Sequence, residues 1–431
     1  MYPANYYYEL LRDAEAVAAD ATRVQIDKDV LRTFPDLVND KAFLAALRRI
    51  LLAYARHRPS LGYTQSMNFI AGVSYMYMDE ADAFFMLVHV VEWLVDDYHT
   101  DHMLGLRADI RVIELLLQQQ HPRLYSRLLE LDVALEFFLP SWLLSLFVNA
   151  VPPETLFRCW DRIFLRGIVG VYEITLALIA TYAGDSDGGD DGDGVLPLPP
   201  LSAEAIEVVM ALQSKTSRAF DSAVFFNNVV PIDGEQREAV LQLRQRQRLI
   251  VTRQHRAAQP LCGYLSKRGH RGLGGLRARK KRFFVYSPRH QADRLYYFDT
   301  APPQWQPSNG AAAAVAAVNF GSALGSVSLN DVKIGGDDDD AAAAATAASS
   351  GSGGDDHHKM VALDSESCAA SAKAPVDEYA ATFTVTTPAR VYDLAAYSSS
   401  ERTYWLNNLK IVVAALADAA STATTEIGSP P

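Results

Sequence analysis

Cysteine is scarce in this chain: Cys159, Cys262 and Cys368 are its three, widely spaced and odd in number. That excludes a disulfide framework and a zinc-ligand spacing, and it suits a reducing compartment. The first residues, MYPANYYYELLRDAE, lack a basic region followed by an apolar core. No signal peptide is visible there, and a cytoplasmic protein is expected. Long hydrophobic runs are missing too. The one membrane-like stretch, 133–151, is interrupted by Glu136 and Pro140 and reads as a buried helix. No G-x-x-x-x-G-K-[ST], G-x-S-x-G or H-E-x-x-H string occurs, which argues against a self-contained hydrolase. His99 and His102 therefore read as packed or solvated side chains, and no metal ligands are assigned.

What is present is a globular composition, 49% hydrophobic and 21% charged over 431 residues, long enough for two domains with inserts. Net charge is -11, unevenly spread. Residues 261–290 hold nine Lys/Arg and no Asp or Glu, which implies an anionic partner for that region. Nucleic acid is not expected, because no nucleic-acid motif accompanies the basic stretch and the chain as a whole is acidic.

Apolar residues recur at helical spacing from about 36 to 182, as in Phe43, Leu47, Ile50, Leu51 and Tyr54, or Phe84, Val88, Val91, Leu94 and Val95. The first domain, 1–235, is expected to be all-α. Its insert 184–200 is acidic and Gly/Pro-rich, which predicts a disordered loop, and Leu196 stands where a calcium loop starting at Asp185 needs Glu. An Arg-rich amphipathic segment, 236–259, reads as a linker helix.

From 261 the period switches to two, in LCGYLSK, KRFFVYS, RLYYFD, SVSLNDVKI, TFTVTT and VYDLAAY. A small antiparallel β domain is expected over 260–418, interrupted by low-complexity inserts at 303–324 and 335–377. Ser398 and Glu401 make an S-x-x-E capping box ahead of Trp405, Leu409, Val412 and Leu416, predicting a final helix on the sheet. Residues 419–431 read as a disordered tail.

Two strings carry the chemistry. In IDKDVLRTFP, Ile26, Asp29 and Arg32 fall at I-x-x-D-x-x-R, and in GYTQSMNFIAG, Tyr63 and Gln65 fall at Y-x-Q. A guanidinium neutralises charge developing between the β- and γ-phosphates of a nucleotide, and a carboxamide both accepts from an attacking water and donates to a γ-phosphate oxygen. Pro35 disfavours a helical Phe34, so Arg32 is placed near a helix end, with Asp29 three residues earlier able to hold it.

These strings, with LPSWLLSLFVNAVPPETLFRCWDRIFLRG and its Trp160 and Asp161, resemble the TBC domain of Rab GTPase-activating proteins over residues 5 to about 235. The resemblance implies an all-helical domain that inserts Arg32 and Gln65 into the nucleotide pocket of a GTP-bound Rab protein. GTP and Mg²⁺ come with the partner, and the chain needs no cofactor. Trp160, Asp161 and Tyr63 read as scaffold, with Asp161 capping or pairing. The family usually carries a further helix ahead of the segment matched by NYYYELL, so apolar surface is expected beside the arginine motif.

The β region resembles a pleckstrin-homology (PH) domain through GYLSKRG, KKRFFVYS, LYYFD and ERTYWLNNL. That implies a barrel closed by the Trp405 helix. It also implies a phosphoinositide site at Lys267, Lys280 and Arg282, with Arg268, Arg279 and Lys281 beside them and the loop RGLGG completing the cup. The combined expectation is a peripheral membrane protein of vesicle traffic that switches off a Rab. The rival is an adaptor that binds Rab and lipid without accelerating hydrolysis; intact Arg32 and Gln65 argue against it.

Overall fold

A computed structural model describes residues 2–3, 5–12, 20–34, 40–148, 150–183, 222–227, 229–268, 279–301, 318–335, 370–379 and 381–427. The chain divides into two compact units, Met1–Leu249 and Ile250–Pro431. The insert 184–200, the RGLGG loop and most of the two later inserts lie outside the described residues.

Among the described residues the first unit is all-α. Its helices are α1 (Tyr6–Leu11), α2 (Asp20–Thr33), α3 (Lys41–His57), α4 (Met67–Tyr77), α5 (Glu80–His89), α6 (Leu104–Gln120), α7 (Pro122–Glu130), α8 (Leu139–Leu144), α9 (Pro153–Arg166), α10 (Ile168–Ala183), α11 (Ser222–Asn227) and α12 (Gly234–Ala257), the last crossing the unit boundary. Helix α3 illustrates why the pattern folds this way. Asp40 caps it by accepting from the Phe43 amide at 2.9 Å, and Phe43, Leu47, Ile50, Leu51 and Tyr54 return to one buried face. These residues join a single core that runs from Tyr7 to Val240.

Two sequence expectations need correction here. The apolar stretch 133–151 is not one buried helix. A 3₁₀ turn at Leu135–Phe137 and the short α8 are followed by Leu146 and Phe147, both with positive φ, so the backbone turns where the hydrophobic pattern reads as continuous. The run after Phe84 leaves α-helical geometry at Val90–Leu94, which is a π-helical turn. No described helix is long and apolar enough to cross a membrane.

Among the described residues the second unit holds one seven-stranded antiparallel sheet of order β4-β3-β2-β1-β7-β6-β5. The strands are β1 (Leu261–Arg268), β2 (Arg279–Tyr286), β3 (Arg294–Phe298), β4 (Gly325–Ser328), β5 (Lys333–Gly335), β6 (Ala381–Thr386) and β7 (Val391–Ala396). The sheet is open, so the closed barrel expected from the sequence is not formed by its ladder. The stretch SVSLNDVKI, which reads as one strand, is two, split at Asp331 with φ 56°.

Both faces of the sheet are covered, which is why β2 reads FFVY without alternation. Leu261, Leu265, Phe284, Leu295, Phe383 and Leu394 pack with Trp405, Leu409 and Val412 of the final helix α13 (Ser399–Ile427). Cys262, Phe283, Val285 and Phe298 line the opposite face. Helix α13 runs to Ile427, past residue 418, where the tail was expected to begin. Ser398 caps it by accepting from the Glu401 amide at 3.2 Å, and the Glu401 carboxylate accepts from the Tyr397 amide at 3.1 Å. The insert expected over 335–377 ends earlier than its composition suggests. Ser371 and Ala374 are buried, and Lys281 Nζ donates to the carbonyls of Ala372 and Ala374 at 2.7 and 2.9 Å.

Candidate functional site

Arg32 lies in the last turn of α2, one residue before the helix ends. Its side chain is 58% exposed, while its partner Asp29, a turn earlier, is 1% exposed and forms an ion pair with the guanidinium. A buried carboxylate requires several donors, and Asp29 has them. Gln25 Nε2 and Tyr63 Oη donate to its Oδ2 at 3.0 and 2.8 Å. Burial, and then the hydrogen bond to Asp29, push the Tyr63 phenol well above its usual range, so it remains a donor. Ile26 is fully buried and fixes the inner face of the same helix.

Tyr63 belongs to the second motif, so this hydrogen bond joins the two strings. Asn68, in the first turn of α4, joins them again. Its Nδ2 donates to Thr33 Oγ1 at 2.8 Å, and Thr33 Oγ1 donates to the Asp29 carbonyl at 2.5 Å. Its Oδ1 accepts from the Ser66 amide at 3.0 Å and lies 3.1 Å from Tyr63 Oη. Gln65 sits between Tyr63 and Ser66 with its side chain exposed, and Ser66 has φ 89°, a left-handed conformation unusual for a residue with a Cβ. Helix α4 also approaches the end of α2 closely: a Cβ on Gly72 would stand 2.5 Å from Phe34 Cε2.

The structure therefore brings Ile26, Asp29, Arg32, Tyr63 and Gln65 onto two packed elements. It leaves Trp160 and Asp161 in α9. Trp160 is buried, its indole N–H donating to the Leu146 carbonyl at 2.9 Å. Asp161 is exposed in the interior of α9 and, among the described residues, caps no helix, contrary to the capping role expected as one alternative. Apolar side chains of α2 in and beside the arginine motif are exposed, with Val24 at 51% and Leu31 at 58%. Asn68 and Thr33 carry no role in the sequence reading, although both lie inside the quoted strings. Nothing in the spacing marks a buried side chain that serves two loops.

In the second unit, Lys267, Arg268, Lys280 and Arg282 line one cavity of about 270 Å³ at the end of the sheet where β1 finishes and β2 and β7 begin. Arg390 joins them, so among the described lining residues five cations share the cavity with one carboxylate, Asp393. Lys267 stands directly opposite Lys280, and Arg268 opposite Arg279. Like charges placed opposite in a ladder destabilise a sheet, so the arrangement costs stability in the absence of an anion. Aromatic rings offset part of it, with Lys267 Nζ 3.7 Å from the Tyr297 ring centre and Arg390 4.0 Å from that of Tyr392. Burial pushes the Tyr297 phenol up, but Lys267 and Arg390 outweigh it and leave the phenol below its usual value. Arg268 and Arg279 pair with Asp393 at 3.1 and 2.6 Å, and Arg282 with Asp299 at 2.7 Å. Lys281 is turned away to the 372–374 carbonyls, so it does not belong to the cavity.

Residues 5–185 match the model of the Rab-GTPase-TBC domain. The chain is 38% identical over 157 residues to Growth hormone-regulated TBC protein 6 of Caenorhabditis elegans, a match covering 36% of this chain and 47% of that protein. It is 34% identical over 184 residues to Growth hormone-regulated TBC protein 1 of Homo sapiens, covering 41% of this chain and 54% of that one. The chain thus spans about half the length of these two relatives. Within the first unit, the stretch 5–185 is therefore similar to the Rab-GTPase-TBC domain. Among solved structures, the Chlamydomonas flagellar RabGAP TBC domain aligns with TM-score 0.45 and 25% identity, covering 53% of this chain and 73% of that one.

Proposed function

We propose that this chain is a GTPase-activating protein for a Rab-family GTPase, supplying Arg32 and Gln65 in trans. The observation that carries this reading is the exposed Arg32 guanidinium held by a buried Asp29 that is itself bonded to Tyr63, two residues from the exposed Gln65. Holding the cation before the partner arrives lowers the entropy lost on docking, and the buried anchor leaves the rest of the guanidinium available to phosphate. An arginine supplied in this way is worth roughly 10³–10⁵ in rate, or ~4–7 kcal/mol of barrier. Gln65 orients the attacking water through its C=O while its N–H donates to a γ-phosphate oxygen. The GTPase brings GTP and Mg²⁺, and this chain contributes no cofactor.

The cavity at Lys267, Arg268, Lys280, Arg282 and Arg390 supports a second part of the reading, in which a PH-like domain recruits the protein to a phosphoinositide-bearing membrane. The protein then works as a peripheral protein of membrane traffic. The test is single-turnover GTP hydrolysis across a panel of GTP-loaded Rab proteins. Acceleration of one or a few by orders of magnitude is the expected result. Binding without acceleration would replace this reading with that of an adaptor.

A further inference from the structure

Both proposed fingers lie one residue before a position gripped by the same buried side chain. Thr33 follows Arg32 and its hydroxyl accepts from Asn68 Nδ2 at 2.8 Å; Ser66 follows Gln65 and its amide donates to Asn68 Oδ1 at 3.0 Å. Asn68 is 2% exposed, and its amide group spends one end on each motif. The grip on Ser66 matters because φ 89° is a conformation that L-residues rarely hold without support. The Thr33 hydroxyl passes the same constraint to the Asp29 carbonyl at 2.5 Å, one turn before the arginine.

From this geometry we infer that Asn68 is a positioning residue that sets Arg32 and Gln65 relative to each other. The inference rests on the two-finger reading above. Asn68 is itself buried between the two motifs. It acts through the backbone of the turn that presents Gln65 and through the end of the helix that presents Arg32. Released from Asn68, Ser66 relaxes toward negative φ and redirects the residue before it. A misplacement of the order of 1 Å at reacting groups costs roughly 10²-fold in rate.

The test uses the full chain with Asn68→Ala, Ser66→Gly and the double variant. Glycine holds a positive φ without a side-chain support, so Ser66→Gly compensates for the lost grip only if the grip is what matters. The result expected is a fall of about 10- to 100-fold in the saturating hydrolysis rate for Asn68→Ala, little change in the chain concentration giving half-maximal rate, and partial recovery in the double variant. A rate unchanged in Asn68→Ala, or a loss that Ser66→Gly leaves untouched, overturns the inference.

Amide exchange in the free chain gives a second readout that needs no GTPase. In Asn68→Ala the Ser66 amide is expected to exchange at least about tenfold faster while Ile70–Val73 of α4 stay protected. Unchanged Ser66 exchange overturns the inference, whatever the rates. If no GTPase responds to the unmodified chain, the functional reading falls, and the exchange experiment still decides whether Asn68 holds the turn.

Discussion

At the scale of single residues, burial decides which polar groups are fixed and which are left to act. Asp29 at 1% exposure is anchored by Gln25 and Tyr63, and Arg32 at 58% is presented by it. Arg32 and Gln65 could be singled out in the sequence as candidates because the proposed chemistry calls for those side-chain types. Asn68 was not, because a hub is defined by what surrounds it. The same logic makes His99 a titration probe. It is buried, its Nε2 is 3.2 Å from the Leu144 carbonyl, and burial lowers its pKa from 6.5 to about 4, the hydrogen bond to Leu144 opposing. The unfolded chain therefore binds a proton between those values that the folded chain refuses. Stability contributed by the neutral ring is complete above pH ~6.5 and is lost as pH falls toward ~4, by roughly 3 kcal/mol in all. His99→Gln keeps a donor for Leu144 and cannot titrate. Melting temperatures at pH 7 and pH 5 are expected to differ less in that variant than in the unmodified protein.

At the scale of elements, close approach and cross-strand pairing carry the account. Gly72 lets α4 meet Phe34 just beyond Arg32, and a methyl there would stand 2.5 Å from the ring. Gly72→Ala is expected to destabilise the first unit by about 1–3 kcal/mol, as overpacking does, and to lower hydrolysis further by displacing the end of α2. Thermal melting and single-turnover rates check both parts. On the sheet, Lys267 and Lys280 stand opposite each other, a like-charge pair that the proposed anionic lipid would relieve. Vesicles containing a few per cent of phosphoinositide are expected to sediment the protein, and Lys267→Ala with Arg282→Ala to abolish this, while neutral vesicles bind neither form. Period-two patterning made most of these strands legible. It did not reveal that Lys281 faces the 372–374 carbonyls, because that partner segment is hidden inside a compositionally biased insert.

At the scale of the whole molecule, each unit is held by contacts that length and composition do not predict. Helix α12 reads as a linker in sequence. In the first unit its Arg244 instead reaches Asp109 of α6, at 2.9 Å from Nε to Oδ1, and Asp109 is fully buried and also accepts from Tyr98 and Tyr172 at 2.8 and 2.7 Å. Arg248 adds pairs to Asp96 and Asp97 at 2.6 and 2.9 Å. Buried Glu173, next to Tyr172 on α10, accepts from Arg162, Arg166 and the Ile232 amide at 2.7 Å. The matched domain model stops at 185, yet these carboxylates need partners from 232 and 244. Arg244→Ala leaves a buried charge underpaired and is expected to cost about 3–5 kcal/mol. A fragment ending at 185 is expected not to unfold cooperatively, whereas one ending at 249 is. Denaturant titration of the two fragments distinguishes them.

The central claim is that Arg32 and Gln65 act together on a bound GTPase, and its most direct measurement is single-turnover GTP hydrolysis by a responsive Rab with the full chain, Arg32→Ala, Gln65→Ala and the double variant. The account predicts that Arg32→Ala removes roughly 10³-fold or more of the acceleration, that Gln65→Ala removes a large part of it, and that both variants still bind the GTP-loaded partner. Acceleration left unchanged by either substitution would contradict it.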